Sequence, residues 1–299
     1  MKTLPLTPVR LLQNSKFCLF GIAVCLTALH LLLTWRLTGD VDRLIVDVLF
    51  WGAILCLVWR KRNILKLESG IISSFFGLLL IALVFLKSIS LVWVESSFLR
   101  IVPLIAIFGL GLLASGVKGL KQYWRELIIV LLLCLPESSL TQIIDELFKV
   151  TTLTTKFAVF ILWYLGFEVS RQGANVILPN GSALIGPTCT GISAAILLLK
   201  LSILFILMFP TAWRKKILVL LGAIFIAFLI SGIRVAIIAT VVSNQEAFHY
   251  WHGSEGSQIF STISILVFGL FCRFLLQPGE LATQNSLTPL NAKPLSSPR

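Results

Sequence analysis

Residues 217–242 read ILVLLGAIFIAFLISGIRVAIIATVV, and in these 26 positions the only charge is Arg234. A helix needs ~20 apolar residues to cross ~30 Å of hydrocarbon, so this stretch is long enough to span a bilayer. The chain repeats the pattern at Phe17–Trp35, Leu44–Trp59, Gly70–Val94, Ile101–Gly116, a short Glu126–Pro136, Gly191–Phe209 and Ile259–Leu276. Across 299 residues 57% are hydrophobic and only 13% charged, with a mean hydropathy of +0.96. That is too little charge to coat a soluble domain of this length. The expected fold is therefore all-α: a polytopic helical membrane protein with about eight transmembrane helices.

The basic residues orient those helices. Arg60-Lys61-Arg62 with Lys66, then Lys118, Lys121 and Arg125, then Arg214-Lys215-Lys216 fall between apolar runs. Cytoplasmic loops carry such excess Lys and Arg, so all three loops are expected inside. Lys2, Arg10 and Lys16 place the N-terminus inside as well, on an uncleaved first helix, since no small-residue cleavage site follows. The net charge of +12 is thus assigned to cytoplasmic loops. No basic patch interleaved with aromatics points to nucleic acid.

Ser139–Val169 complicates the count. A full crossing there would put Arg214-Lys215-Lys216 outside. The segment is therefore expected to be amphipathic and interfacial on the outer side. Asn180-Gly181 follows it, a turn signal between the short runs Asn175–Leu178 and Ala183–Ile185. A small extracytoplasmic hairpin leading to Cys189 is expected. Residues 1–276 form one transmembrane domain on this reading. Residues 277–299, rich in Pro, Ser, Asn and Thr, are expected to be a disordered cytoplasmic tail.

Five of the six cysteines sit inside apolar runs, where a thiol is a small apolar filler. Cys189 instead stands in GPTCTGIS, residues 186–193, with turn formers on both sides. No Cys or His spacing suits a metal, and no cofactor is expected. The loop order sends Cys189 to the outer end of a helix starting at Gly191. Arg234 lies eight residues before Val242, ~12 Å below the outer end of its own helix. His249 and His252 lie in the next outer loop, SNQEAFHYWHGSEGS. A thiol, a guanidinium and an imidazole therefore converge on the outer leaflet. An Arg within a span usually faces the bundle interior and a partner. A nearby cation or helix N-terminus favours the thiolate, and Cys189 is placed for both. His252, or alternatively His249, can serve as base and then as acid. Lys200, three turns past Cys189, is ~16 Å deeper and suits a structural or snorkelling role.

CTGIS at 189–193, SGIRVA at 231–236 and HGSEG at 252–256 resemble the exosortase/archaeosortase family. The wording FHYWHGSEGSQIF is most like the cyanobacterial branch. The resemblance is specific over residues 169–274, the expected catalytic half. It implies a membrane cysteine peptidase or transpeptidase with Cys189, Arg234 and His252 as catalytic residues. Implied partners are the C-terminal tails of exported, membrane-anchored proteins (a Pro-Glu-Pro motif, a transmembrane helix and a basic end), the lipid bilayer, and a lipid or glycan acceptor. The implied location is the plasma membrane, with the site outside. The implied reaction is attack by Cys189 on a peptide carbonyl, giving an acyl-thioester. A guanidinium does not deprotonate in proteins, so Arg234 suits thiolate and oxyanion stabilisation, and His252 the proton shuttle. Two positions depart from the family pattern: Thr190 replaces the commoner Ser, and Ser231 stands where Asn is usual.

Three rivals remain. A transporter could use Arg234 and Lys200 in an anion path, but the first five spans look nearly free of polar residues. A rhomboid-like serine protease could use GISA at 191–194, although its last Gly is missing and the histidine is read as lying in a loop. A non-enzymatic scaffold is the third.

Overall fold

The computed structural model describes residues 15–89 and 96–275. The expected tail at 277–299 and the basic residues Lys2 and Arg10 lie outside the described residues. Five helices precede the amphipathic segment: α1 Ser15–Thr38, α2 Val41–Lys61, α3 Ile71–Ile89, α4 Ser96–Gly119 and α5 Trp124–Leu133. Then come α6 Glu137–Phe148, α7 Val150–Tyr164, strands β1 Ser170–Gln172, β2 Asn175–Leu178 and β3 Gly181–Leu184, and helices α8 Ile192–Met208, α9 Trp213–Thr240, α10 Gln245–His252 and α11 Ser254–Leu275. The chain divides into two compact units, Met1–Leu140 with Leu204–Pro210, and Thr141–Ile203 with Thr211–Arg299.

The protein is helical and polytopic, as the sequence predicts, but eight is an approximate count. Among the described residues five helices are long and apolar enough to cross a membrane, or six if the bent pair α6–α7 is one span. Two of the expected spans differ for plain reasons. Helix α2 carries Asp42, Arg43 and Asp47 in its first two turns and Arg60 and Lys61 in its last. Helix α8 has 17 residues, short of the ~20 a crossing needs. A third difference is Phe98–Leu133, which counts as one long candidate span yet is not one rod. At Gly116 the backbone turns to φ 66°, a region that favours glycine. Leu120 then packs back on Gly111, and Tyr123 Oη lies 3.0 Å from Ser115 Oγ. In a straight helix residues 111 and 120 would stand ~13 Å apart along the axis. The chain reverses at the basic loop, where the sequence expects a turn.

In the first unit that loop has a partner. Lys61 Nζ lies 3.0 Å from Glu126 Oε1 and donates to Glu126 Oε2 at 3.1 Å and to the Gln122 carbonyl at 3.1 Å. Gln122 Nε2 donates to the Lys66 carbonyl at 3.2 Å, and its Oε1 accepts from Lys66 N at 3.3 Å. Arg60 Nη1 donates to the Met208 carbonyl at 3.5 Å. The 60–66 and 118–125 basic segments therefore meet at one end of this unit.

The first spans are less apolar than their sequence suggests. Trp51 Nε1 donates to His30 Nδ1 at 3.2 Å, and Thr34 Oγ1 donates to Asp47 Oδ2 at 3.1 Å. All four side chains are buried in the seam between α1 and α2. Each donor finds an acceptor inside the seam, so these groups act as interhelical glue and outline no anion path.

In the second unit, α6 and α7 break by 74°. The break is built from specific bonds: Lys149 adopts φ 50°, and the Asp145 carboxylate caps α7 through Thr151 N at 2.7 Å and Thr151 Oγ1 at 2.8 Å. The amphipathic expectation suits α6, which shows Ile143, Leu147 and Phe148 on an exposed face. Helix α7 departs from it by packing beside the span α9. Phe157 stacks on Phe228 with centroids 5.1 Å apart, and Ala158 and Leu162 join Val235, Ala236 and Ala239 in one core. The hairpin forms between the expected strands, with Leu178 paired to Gly181. Its two-residue turn is thus Pro179-Asn180 rather than Asn180-Gly181; the ring of Pro179 supplies the φ a turn needs. β1, unforeseen in the sequence, adds an antiparallel edge to β2.

Candidate active site

Cys189 closes a short 3-10 turn, Pro187–Cys189, between the hairpin and α8. Pro187 starts that turn, and its carbonyl accepts from Thr190 Oγ1 at 2.7 Å and from Thr190 N at 3.4 Å. Thr154 on α7 donates to the Thr190 carbonyl at 3.2 Å. Val176, Leu178 and Ala183 from the sheet, and Ile185 just after it, share one buried cluster with the thiol, α7 and α9, leaving Cys189 7% exposed. Gly191, at φ 77°, lets the chain enter α8 directly against Ser231 on α9. Ser231 therefore lies beside the cysteine loop as a packing residue.

His252 comes from α10. The sequence reads this segment as a loop, but it is a helix of eight residues. Asn244 caps it, its side chain accepting from Ala247 N at 3.1 Å. His252 closes the last turn, and its Nε2 stands 3.5 Å from Cys189 Sγ. Arg234 Nη2 donates to the main-chain carbonyl of His252 at 3.3 Å. Arg234 is six residues from the end of α9, ~9 Å below it along the axis. Its Nε is buried and has no hydrogen-bond partner among the described residues.

The three residues expected to meet are thus adjacent. His249, the alternative base, sits one turn earlier with its ring edge-on to Phe248 at 6.3 Å. Lys200 is buried within α8, eleven residues past the cysteine. Ser193, the serine of the rhomboid alternative, is exposed and bonds to neither histidine among the described residues. The helical setting of His252 removes one objection to that alternative, yet the histidine faces sulfur. Sequence reasoning missed Thr154 and Phe248. Phe248 was findable: Asn244 before Gln245-Glu246 is a helix-start signal, and a helix puts 248 and 252 on one face.

Such a site sets a thiol beside an imidazole, with a guanidinium bonded to the histidine's own carbonyl. The family model described as "Transmembrane exosortase (Exosortase_EpsH)" matches residues 40–269. The chain belongs to the transmembrane exosortase family. That match covers the basic-loop end of the first unit as well as the thiol site, so the exosortase likeness extends well beyond 169–274. The family is one of membrane enzymes that process sorting signals. No curated protein and no solved structure matches the chain.

Proposed function

We propose that this chain is a membrane-embedded cysteine peptidase or transpeptidase, of the cyanobacterial type within the family, that cleaves C-terminal sorting tails of exported anchored proteins. The 3.5 Å approach of Cys189 Sγ to His252 Nε2 carries this reading. Residues 1–276 act as one transmembrane domain in the plasma membrane, with the catalytic half at 169–274 and the site on the extracytoplasmic side.

The thiol proton moves to His252 Nε2 as Sγ attacks the scissile carbonyl carbon. Negative charge develops on the carbonyl oxygen. Arg234 stabilises it: its Nε–H has no other partner among the described residues, and its positive charge needs no reorganisation. Collapse breaks the C–N bond, and the imidazolium returns its proton to the leaving amine. The anchor helix departs and the substrate remains as a thioester on Cys189. Water, or a lipid or glycan nucleophile deprotonated by the same imidazole, then releases it. Burial in an apolar core of α7, α9 and the sheet shields the thioester from premature hydrolysis.

Trapping tests this. Incubation of the purified protein with a peptide bearing a Pro-Glu-Pro motif, an apolar helix and a basic end should yield a hydroxylamine-sensitive adduct at Cys189. The Cys189→Ala variant should give no adduct and no cleavage. Wild-type cleavage by Cys189→Ala would end the proposal; cleavage lost instead in Ser193→Ala would move it to the serine.

A further inference from the structure

In cysteine and serine enzymes the base is itself held in orientation by a third group, commonly a carboxylate or amide bonded to its second ring nitrogen. Here no carboxylate or amide side chain bonds Nδ1 of His252 among the described residues. The ring instead meets the Cys189 sulfur and stacks on the face of Phe248, with centroids 5.2 Å apart and planes 16° from parallel. Phe248 precedes His252 by one helical turn, so α10 itself sets the stack.

We propose that Phe248 is the positioning residue of the dyad, doing by stacking what a hydrogen-bonded carboxylate does elsewhere. The inference rests on the reading of Cys189 and His252 as the reacting pair. The backbone of α10 is fixed at both ends, by the Asn244 cap and by Arg234 on the His252 carbonyl. Neither contact restrains the imidazole about its own side-chain torsions. His252 is exposed, and a free ring there would sample three staggered wells, one of which brings Nε2 to the sulfur. The flat face of Phe248 selects that well. A hydrogen-bonded orienter would also select a tautomer. A ring stack does not, and it leaves Nδ1 without a bonded orienter among the described residues.

The test uses the full chain in detergent micelles, with the other five cysteines replaced and Cys189 retained. The alkylation rate of Cys189 by iodoacetamide is followed from mildly acidic to mildly alkaline pH. Phe248→Leu and Phe248→Met remove the flat face while keeping apolar volume; two such variants guard against one failing to fold. Each should lower the rate near neutrality by about three- to tenfold, the range set by three rotamers and an aromatic contact. Each should also move the pH profile toward that of His252→Ala. Phe248→Tyr should keep the wild-type profile. With a tailed peptide, turnover should fall and KM should hold. A wild-type profile in Phe248→Leu and Phe248→Met, even with a lowered melting temperature, overturns the positioning role and leaves the dyad standing. A wild-type profile in His252→Ala overturns the dyad, and the positioning role with it; thioester trapping then decides separately whether Cys189 is the nucleophile.

Discussion

Gly191 holds a backbone that no side chain can share. Its φ of 77° is costly for an L-residue, and a Cβ there would collide with the Ser231 side chain and press on the Ala227 carbonyl. The left-handed conformation costs about 1–2 kcal/mol and overpacking about 1–3 kcal/mol more. Gly191→Ala should therefore lower the melting temperature and slow alkylation of Cys189. Adding Ser231→Gly should recover the packing part alone. Wild-type stability in Gly191→Ala would show that α8 and α9 do not approach this closely. Arg234 invites a second residue-scale test. Lysine keeps the charge but lacks the planar fork that can bond a carbonyl with one nitrogen and an oxyanion with another. Arg234→Lys should cut processing of a tailed peptide by about 100-fold or more, in the range of a lost oxyanion donor. A loss below tenfold would mean that charge alone suffices.

Elements reveal where sequence reasoning reaches and where it stops. The hairpin was legible because Pro, Asn and Gly punctuate two short apolar runs, and only the turn position moved by one residue. Helix α10 was not, because its eight residues mix His, Gln, Glu and aromatics with no apolar period. The α1–α2 seam was hidden for a different reason: His30, Thr34, Asp47 and Trp51 look like scattered polar residues until two helices bring them together. The Lys61–Glu126 pair was equally invisible, since it joins positions 65 apart. Glu126 is 0% exposed, so its carboxylate depends on that ammonium. Removing one member of a buried pair costs about 3–5 kcal/mol, whereas replacing both with apolar groups is often neutral. Lys61→Met should therefore depress the thermal transition in micelles strongly, and Lys61→Met with Glu126→Leu should restore most of it. A double variant as unstable as the single one would show that packing, not charge, sets the cost.

Across the whole molecule, two inputs made the fold class readable: long apolar runs and the spacing of Lys and Arg between them. The span count was less readable, because length and hydropathy cannot distinguish a rod from a reversal like the one at Gly116, or a crossing from a built bend like the one at Lys149. Topology gives the last prediction. With Cys189 as the sole cysteine, a membrane-impermeant maleimide should label it in cells with intact plasma membranes, slowly because it is buried. A cysteine placed at Lys121 should react only after permeabilisation. Labelling of Lys121 alone would reverse the assigned sides and remove Cys189 from exported substrates; labelling of both would put the two positions on one face.

Arg234 grips residue 252 through its main-chain oxygen, not through its ring. That anchorage is indifferent to which amino acid occupies the position. A replacement at 252 would alter the chemistry offered to the sulfur while the end of α10 stayed tethered. The locus therefore behaves as an exchangeable socket, and installing a different acid, base or cation there is a practical route to retuning the enzyme without rebuilding its scaffold.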